Sequence, residues 1–374
     1  MNVLPRLLIW TRIPTHHQSA FFEALRSRGV DVVVHYLQHV DASRLSMGWG
    51  AHPELPRGER YTGMSLRALD LCADWRERIH IIPGYSPPFL LQLVGFLSRR
   101  RVPWVHWSEH SWPRPRAHLT FTIKWMYGHL ARYRALGALA IGELARREFI
   151  RWGIPPARIR FLPYAVPRVT VPAGPESPEI PLEGPRFLFL GQLCPRKGID
   201  LLLLAMRDVL ATHPNARLEL AGKDQPDGLY EHMAERLEIT HAVRFSGVVE
   251  AAHVGGVLHR CDILILPSRH DGWGVVLNEG ASLGKALIAS DACGAAHHLV
   301  TPEINGYRFP TGDRSALAGA MLAYCRNPSL ARRHGVESLR LFEDFTPERN
   351  AMRLEEALLS LQSNTANASA AKVA

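Results

Sequence analysis

Apolar residues along this chain gather in short runs. Residues 7–10, 30–36, 79–83 and 102–107 are such runs, interrupted by Asp31, His35, His80, Pro103 and His106; 138–141 is another, and 158–163 leads into the boundary. Strands buried on both faces read this way, because neither face meets water. Between the runs lie segments with helical spacing, including the one opened by Phe21, Phe22 and Leu25 and residues 88–101. A second series follows at 186–190, 218–222, 243–247, 263–266 and 286–290, with a helix expected over 200–210. Buried strands alternating with helices predict an α/β fold with doubly wound parallel sheets, here two of them. Pro167, Pro172, Pro175, Pro178 and Pro181 crowd the stretch between the two series, as in a semi-rigid linker. The division expected is therefore 1–165, a linker over 166–185, and 186–345. A helix capped by Thr346 and Pro347 follows over 346–362, with an apolar stripe at Ala351, Leu354, Leu358 and Leu361. The Ala-, Ser- and Asn-rich residues 363–374 are expected to be disordered.

The loops at the strand C-termini carry the polar chemistry. After 263–266 comes Pro267-Ser-Arg-His-Asp271-Gly272-Trp273-Gly274-Val275, then a helix bearing Glu279. Glycines there let backbone approach a ligand, and free amides at a helix start favour an anion. A carboxylate accepts two hydrogen bonds at once, which suits Glu279 to a vicinal diol. Earlier, Gly191-Gln192-Leu-Cys-Pro-Arg196-Lys197-Gly198 leads from a strand into a helix, presenting two cations. The Gly-Lys-Ser/Thr order of a Walker loop is missing. Gly272-Trp-Gly274 lacks the third glycine of a dinucleotide fingerprint, which ranks a dehydrogenase low. In the first half, the corresponding loops hold His16, His17, Gly84, Glu109 and His110.

Asp271-Gly-Trp-Gly…Glu279 resembles the Glu-x7-Glu signature of the retaining family 4 glycosyltransferases, with Asp in place of the first Glu. The segment Gly191…Lys197-Gly198 is similar to that family's Gly-Arg…Lys-Gly stretch, with Gln192 where arginine is usual. Asp291…Gly294…His297 resembles its Gly-Gly-x-x-Glu segment, with His297 where glutamate is common. The resemblance implies the GT-B fold, two Rossmann-like domains facing a cleft, with a terminal helix crossing back onto the first. It implies that Glu279 binds the donor's ribose, Asp271 contacts the transferred sugar and Lys197, aided by Arg196, meets the diphosphate. Val248 would lie near the nucleobase, with Gly191, Gln192, Gly222, Gly272, Trp273, Gly274 and Val275 completing the donor pocket. The acceptor would meet His16, His17, Gly84, Glu109 and His110, His110 lying near the reacting carbon. The implied reaction moves a hexosyl unit from a nucleoside diphosphate sugar to an acceptor hydroxyl with retained configuration, in polysaccharide or glycolipid assembly. A sugar-nucleotide epimerase or a non-catalytic nucleotide-sugar or glycan-binding protein would use the same pocket; both stand as alternatives. No Asp-x-Asp pair occurs, so a bridging metal is not expected, and the resemblance implies no cofactor beyond the donor substrate.

Composition changes the picture in one respect. The content, 47% hydrophobic and 21% charged, is that of a globular protein, and five scattered cysteines suit a reduced cytoplasmic one. The net charge of +9 is lopsided: residues 1–165 hold 23 Lys and Arg against 11 Asp and Glu, while the remainder holds 21 against 24. Arg114, Arg116, Lys124, Arg132 and Arg134 are interleaved with Leu119, Phe121, Ile123, Trp125, Met126 and Tyr127. That pattern predicts either an interfacial contact with an anionic membrane at its inner face, or a domain helix with one buried and one solvated side. Without a nucleic-acid motif, nucleic acid ranks below phospholipid or an anionic acceptor.

Overall fold

The computed structural model describes residues 5–41, 55–112, 117–171, 184–225 and 228–370, side chains at 117–120 and 365–370 excepted. It divides into two compact units. The first is built from Met1–Val40, His52–Pro167 and Thr346–Ala374, the second around Arg168–Phe345.

In the first unit β1 (Arg6–Thr11), α1 (His16–Ser27), β2 (Asp31–Tyr36), β3 (Glu59–Tyr61), β4 (Ile79–Ile82), α2 (Pro88–Arg99) and β5 (Trp104–Ser108) come first. Then come α3 (Ala117–Arg134), β6 (Gly137–Ala140), α4 (Glu143–Arg151) and β7 (Ile159–Phe161). The seven strands are parallel in the order β3-β2-β1-β4-β5-β6-β7. β1 and β4 are neighbours with opposite directions of winding outward, so the loops after them open at a topological switch point. One core face holds Trp10, Leu93, Trp104, Tyr127, Phe149 and Trp152. Edge strand β3 was not expected: its Glu-Arg-Tyr has no apolar run. Glu59 is nonetheless buried, accepting from Tyr36 Oη at 2.6 Å and Arg26 at 2.8 Å.

The second unit contains β8 (Arg186–Leu190), α5 (Ile199–Leu210), β9 (Arg217–Ala221), α6 (Leu229–Arg236), β10 (Val243–Gly247), α7 (Val254–His259) and β11 (Ile263–Leu266). α8 (Val276–Ser282), β12 (Ala286–Ser290), α9 (Ala296–Leu299), β13 (Gly306–Phe309), α10 (Arg314–Arg326) and α11 (Ser329–Phe342) follow. Its parallel order is β10-β9-β8-β11-β12-β13, which puts the switch point between β8 and β11. The stretch expected as linker lies partly outside the described residues, at 172–183. Of the rest, Val169 N donates to Ser282 Oγ at 3.2 Å, and a Cβ on Gly255 would sit 2.0 Å from Thr170 O. Residues 169 and 170 are thus packed on the second unit and are not a free spacer.

The last helix, α12 (Pro347–Ala370), belongs to the first unit. Arg349 N donates to Thr346 Oγ1 at 3.3 Å, the cap that the Thr-Pro pair predicts. Ala351, Leu354, Leu358 and Leu361 are all fully buried, and α12 packs on α1 and β7. Arg28 grips Glu355 with two bonds of 2.6 and 2.9 Å, and Asn350 Nδ2 donates to Pro163 O at 2.8 Å. The helix continues to Ala370, where disorder was expected from 363. Extending an anchored helix adds a hydrogen bond per residue without a new nucleus, and Ala366, Ala368 and Ala370 favour it.

Candidate active site

At the switch point of the second unit the loops after β8 and β11 lie against each other because glycine lets them. Gly198 is left-handed (φ 71°), and a Cβ there would meet Pro267 O at 2.3 Å. Gly191 and Gly222 end β8 and β9 in similar extended positive-φ conformations, so close that a Cβ on Gly222 would lie 1.8 Å from Gly191 O. The loop after β8 then turns through Pro195–Lys197 and sets Lys197 Nζ 2.5 Å from Asp271 Oδ2. Both side chains are largely buried.

Asp271 is held by its backbone as well: its N donates to Ala292 O at 3.1 Å, and Gly294 N donates to its O at 3.1 Å. Arg196 is spent on the same joint, Nη1 donating to His270 O at 3.0 Å. A residue the motif reading missed, Arg269, closes it. Its guanidinium makes two 2.7 Å bonds to Asp200 and one of 2.7 Å to Pro195 O, while its N donates to Arg196 O at 2.8 Å. Nothing in the sequence pairs 269 with 200; their meeting follows from the strand order. Gln192 Nε2 donates to Gln225 Oε1.

Glu279, in the first turn of α8, is different. It is half-buried, and among the described residues its carboxyl makes no hydrogen bond or ion pair. Burial pushes it up from 4.5 to about 7. Gly274 (φ 91°) precedes α8, where a Cβ would strike Leu266 Cδ2 at 2.7 Å, and Val275 caps the helix half-buried. Gly272 is buried, its O only 2.3 Å from where a Cβ on Gly294 would be. Val248, after β10, is exposed.

Trp273, expected in the donor pocket, turns its ring inward. Its indole is buried, 5.7 Å from the ring of His298 and 6.1 Å from Phe345, and Nε1 donates to Asn278 Oδ1 at 2.8 Å. The side chain is core, leaving only backbone on the loop. His297, at the position where glutamate is common, bonds Asp291 O through Nε2 at 2.8 Å.

In the first unit, His16, exposed, and His17, half-buried with its ring 4.8 Å from Tyr164, form the first turn of α1 and do not lie in the loop after β1 where they were expected. Burial, with the neighbouring His16, lowers His17 to about 4, so it is neutral at pH 7. Gly84 follows β4 at φ 118° with open space where a Cβ would be. Glu109, after β5, is hydrogen-bonded to the Tyr164 hydroxyl, which burial and this acid push well above 10. Trp107 packs on Tyr164 at 5.9 Å. Tyr164 therefore joins His17 to Glu109, and no local motif announced it. His110 is half-buried in the same loop, which is anchored at the next residue: Ser111 N and Oγ donate to the Glu148 carboxylate at 2.7 and 2.5 Å. Lys124 completes this ion pair at 2.8 Å. Lys124 is thereby removed from the basic, solvent-facing set in which the sequence pattern placed it.

Residues 15–165 match the model of the glycosyl transferase 4-like domain, and residues 172–338 that of the glycosyl transferases group 1. The chain is 29% identical over 238 residues to the phosphatidyl-myo-inositol mannosyltransferase of Mycobacterium leprae, covering 60% of each chain. It is 28% identical over 167 residues to the glycogen synthase of Mycobacterium tuberculosis, covering 44% of this chain and 40% of that one. It thus spans less than two thirds of these relatives. Among solved structures, HepE of Anabaena in complex with UDP has a TM-score of 0.75 at 17% identity, covering 95% of this chain and all of that one. The sucrose-phosphate synthase of Thermosynechococcus elongatus has 0.73 at 18%, covering 96% and 100%. At such identities the likeness concerns fold. Taken with the two parallel sheets and the domain matches that cover both units, it makes the chain a member of the group 1 glycosyltransferases, with the GT-B fold.

Proposed function

We propose that this chain is a retaining hexosyltransferase that moves a sugar from a nucleoside diphosphate sugar to the hydroxyl of a glycan or lipid-linked acceptor. The observation that carries the reading is the Lys197–Asp271 pair at 2.5 Å, where two loops of the second unit meet beyond their strands. As the glycosidic bond breaks, negative charge grows on the diphosphate, and a cation already held in place stabilises it without reorganisation. Lys197 supplies that cation, and Asp271 fixes its ammonium and then takes hydroxyls of the sugar. Glu279 takes the ribose diol. With Lys197 in this role the reaction is metal-independent. On the first unit, His16 and His17 at the start of α1 and the loops holding Gly84, Glu109 and His110 receive the acceptor. The mannosyltransferase relative, named for phosphatidyl-myo-inositol, and the UDP in HepE support a lipid-linked acceptor and a nucleotide-sugar donor. No helix among the described residues is long and apolar enough to cross a membrane, and the five cysteines are free; the reading places the enzyme at the inner membrane face as a peripheral protein.

A thermal-shift panel of UDP-, GDP- and ADP-sugars tests the donor. A ligand at a hundred times its dissociation constant adds about 2.7 kcal/mol of stability. One base should stand out; a panel in which no nucleotide sugar raises the melting temperature overturns the reading.

A further inference from the structure

Helix α3 buries one side. Tyr127, Gly128 and Ala131 face the unit's core, Gly128 so tightly that a Cβ would lie 2.1 Å from Trp152 O. Arg158 closes the helix end, its guanidinium donating to Arg132 O, Ala135 O and Leu136 O. The opposite side is where an ordinary surface helix carries its charge. Here it carries Trp125 (44% exposed), Met126 (61%) and Tyr133 (68%), with Phe121 (50%) at the margin. The ring of His129 lies between Trp125 and Tyr133, at 4.0 and 6.1 Å. Exposed aromatic area of this extent on one helix marks an interaction surface.

Charge identifies the partner. From His110 to Gly142, 33 consecutive residues contain no Asp or Glu and five Lys or Arg. Lys124 is spent on Glu148, Arg132 and Arg134 are exposed, and Arg114 and Arg116 lie outside the described residues. A second copy of the chain meeting this face across a two-fold axis would set cation against cation. Indole and phenol rings flanked by arginine suit the boundary between phosphate headgroups and acyl chains.

We propose that the outward face of α3 is an interfacial contact for anionic phospholipid, with Trp125, Met126 and Tyr133 entering the headgroup boundary while Arg132 and Arg134 meet lipid phosphates. The inference deepens the proposed function and rests on its lipid-linked acceptor for its purpose, though not for its physics. It also revises the emphasis of the sequence pattern, since the aromatic side chains, more than a row of five cations, supply the binding.

Vesicle sedimentation of the full chain tests it, using phosphatidylcholine alone and phosphatidylcholine with phosphatidylglycerol. The protein should sediment with the anionic vesicles at low salt. A Trp125→Ser/Met126→Ser/Tyr133→Ser variant should lose at least about tenfold in partitioning at any salt, with an unchanged melting temperature because all three are exposed. An Arg132→Ala/Arg134→Ala variant, which keeps the aromatic side chains, should lose about fivefold per charge at low salt and nothing at high salt. Failure to bind anionic vesicles, or binding that neither variant weakens, overturns the proposal. So does a concentration-dependent dimer that the serine variant abolishes, since the face then covers another copy. Nucleotide-sugar thermal shifts on the same samples separate the two readings. Lost vesicle binding with intact shifts removes the membrane surface alone, and intact vesicle binding without shifts removes the glycosyl-transfer reading alone.

Discussion

Glu279→Gln separates what this carboxyl does for a ligand from what it costs the fold. Burial raises it from 4.5 to about 7. Between those values the folded chain holds a proton that the unfolded chain has released, so stability falls as pH rises through the interval and is lowest above it. The interval corresponds to about 3 kcal/mol, and residual contact with water reduces this toward about 1 kcal/mol. Glutamine removes the charge at nearly constant volume. The variant should therefore exceed the wild type by about 1–3 kcal/mol near pH 8 and match it near pH 4, read from urea or thermal melts at both pH values. Binding should move the other way. Hydrogen bonds from ribose hydroxyls to a charged acid are worth about 1.5–3 kcal/mol, so affinity for the best nucleoside diphosphate should drop about tenfold to a hundredfold. Because the hydroxyls donate, the ionised acid receives them more strongly than the protonated one. Wild-type affinity should rise with pH up to about 7 and release a proton, seen by calorimetry in buffers of different ionisation heat; the variant should do neither. Equal effects on stability at both pH values would refute the buried-charge argument, and unchanged nucleotide affinity would sink the ribose assignment.

Lys197→Ala should cost about 3–5 kcal/mol in urea melts by leaving Asp271 unpaired, whereas Lys197→Ala/Asp271→Asn should recover much of that stability. Both should lose about a hundredfold in turnover while keeping nucleoside affinity, and wild-type turnover in either would exclude the diphosphate role. EDTA should leave steady-state turnover largely intact; loss that Mg²⁺ or Mn²⁺ restores would contradict a lysine-based site. Glu148→Gln should destabilise by about 2–4 kcal/mol, because Lys124 and two Ser111 donors depend on that carboxylate, whereas Arg28→Ala should cost under about 1 kcal/mol. Denaturant midpoints check both, and equal losses would show that burial does not set the difference.

Central strands were legible because a strand covered on both faces is apolar over most of its length: residues 7–10, 187–190, 263–266 and 286–289 are unbroken, while β4 and β5 are interrupted by the buried His80 and His106. Edge strands β3 and β13 were not, since one free edge tolerates Glu59, Arg60 or Arg308. The loops beyond the strands were legible through their glycines, whose backbone needs are local. What escaped were partnerships between distant positions: Arg269 with Asp200, Tyr164 with Glu109 and Lys124 with Glu148. Each is created by strand order and leaves no trace in neighbouring residues. The inward turn of the Trp273 indole onto Asn278, His298 and Phe345 escaped for a related reason, since a loop residue carries no local sign of which way it faces.

The return of α12 to the first unit has a consequence for biosynthesis. Residues 346–361 leave the ribosome only after all of 168–345, so the sheet that begins the chain waits for a helix made after the second unit is complete. Until then the groove on α1 and β7 stands open where Leu354, Leu358 and Leu361 will seat, and Gly137 lies bare where the side chain of Leu361 will pack close above it. The second unit needs no such late arrival and can fold as it emerges. A released chain truncated after Phe345 should therefore resist protease over 186–345 while 1–165 is cut, and a chaperone that shields apolar surface should hold it longer than the full chain.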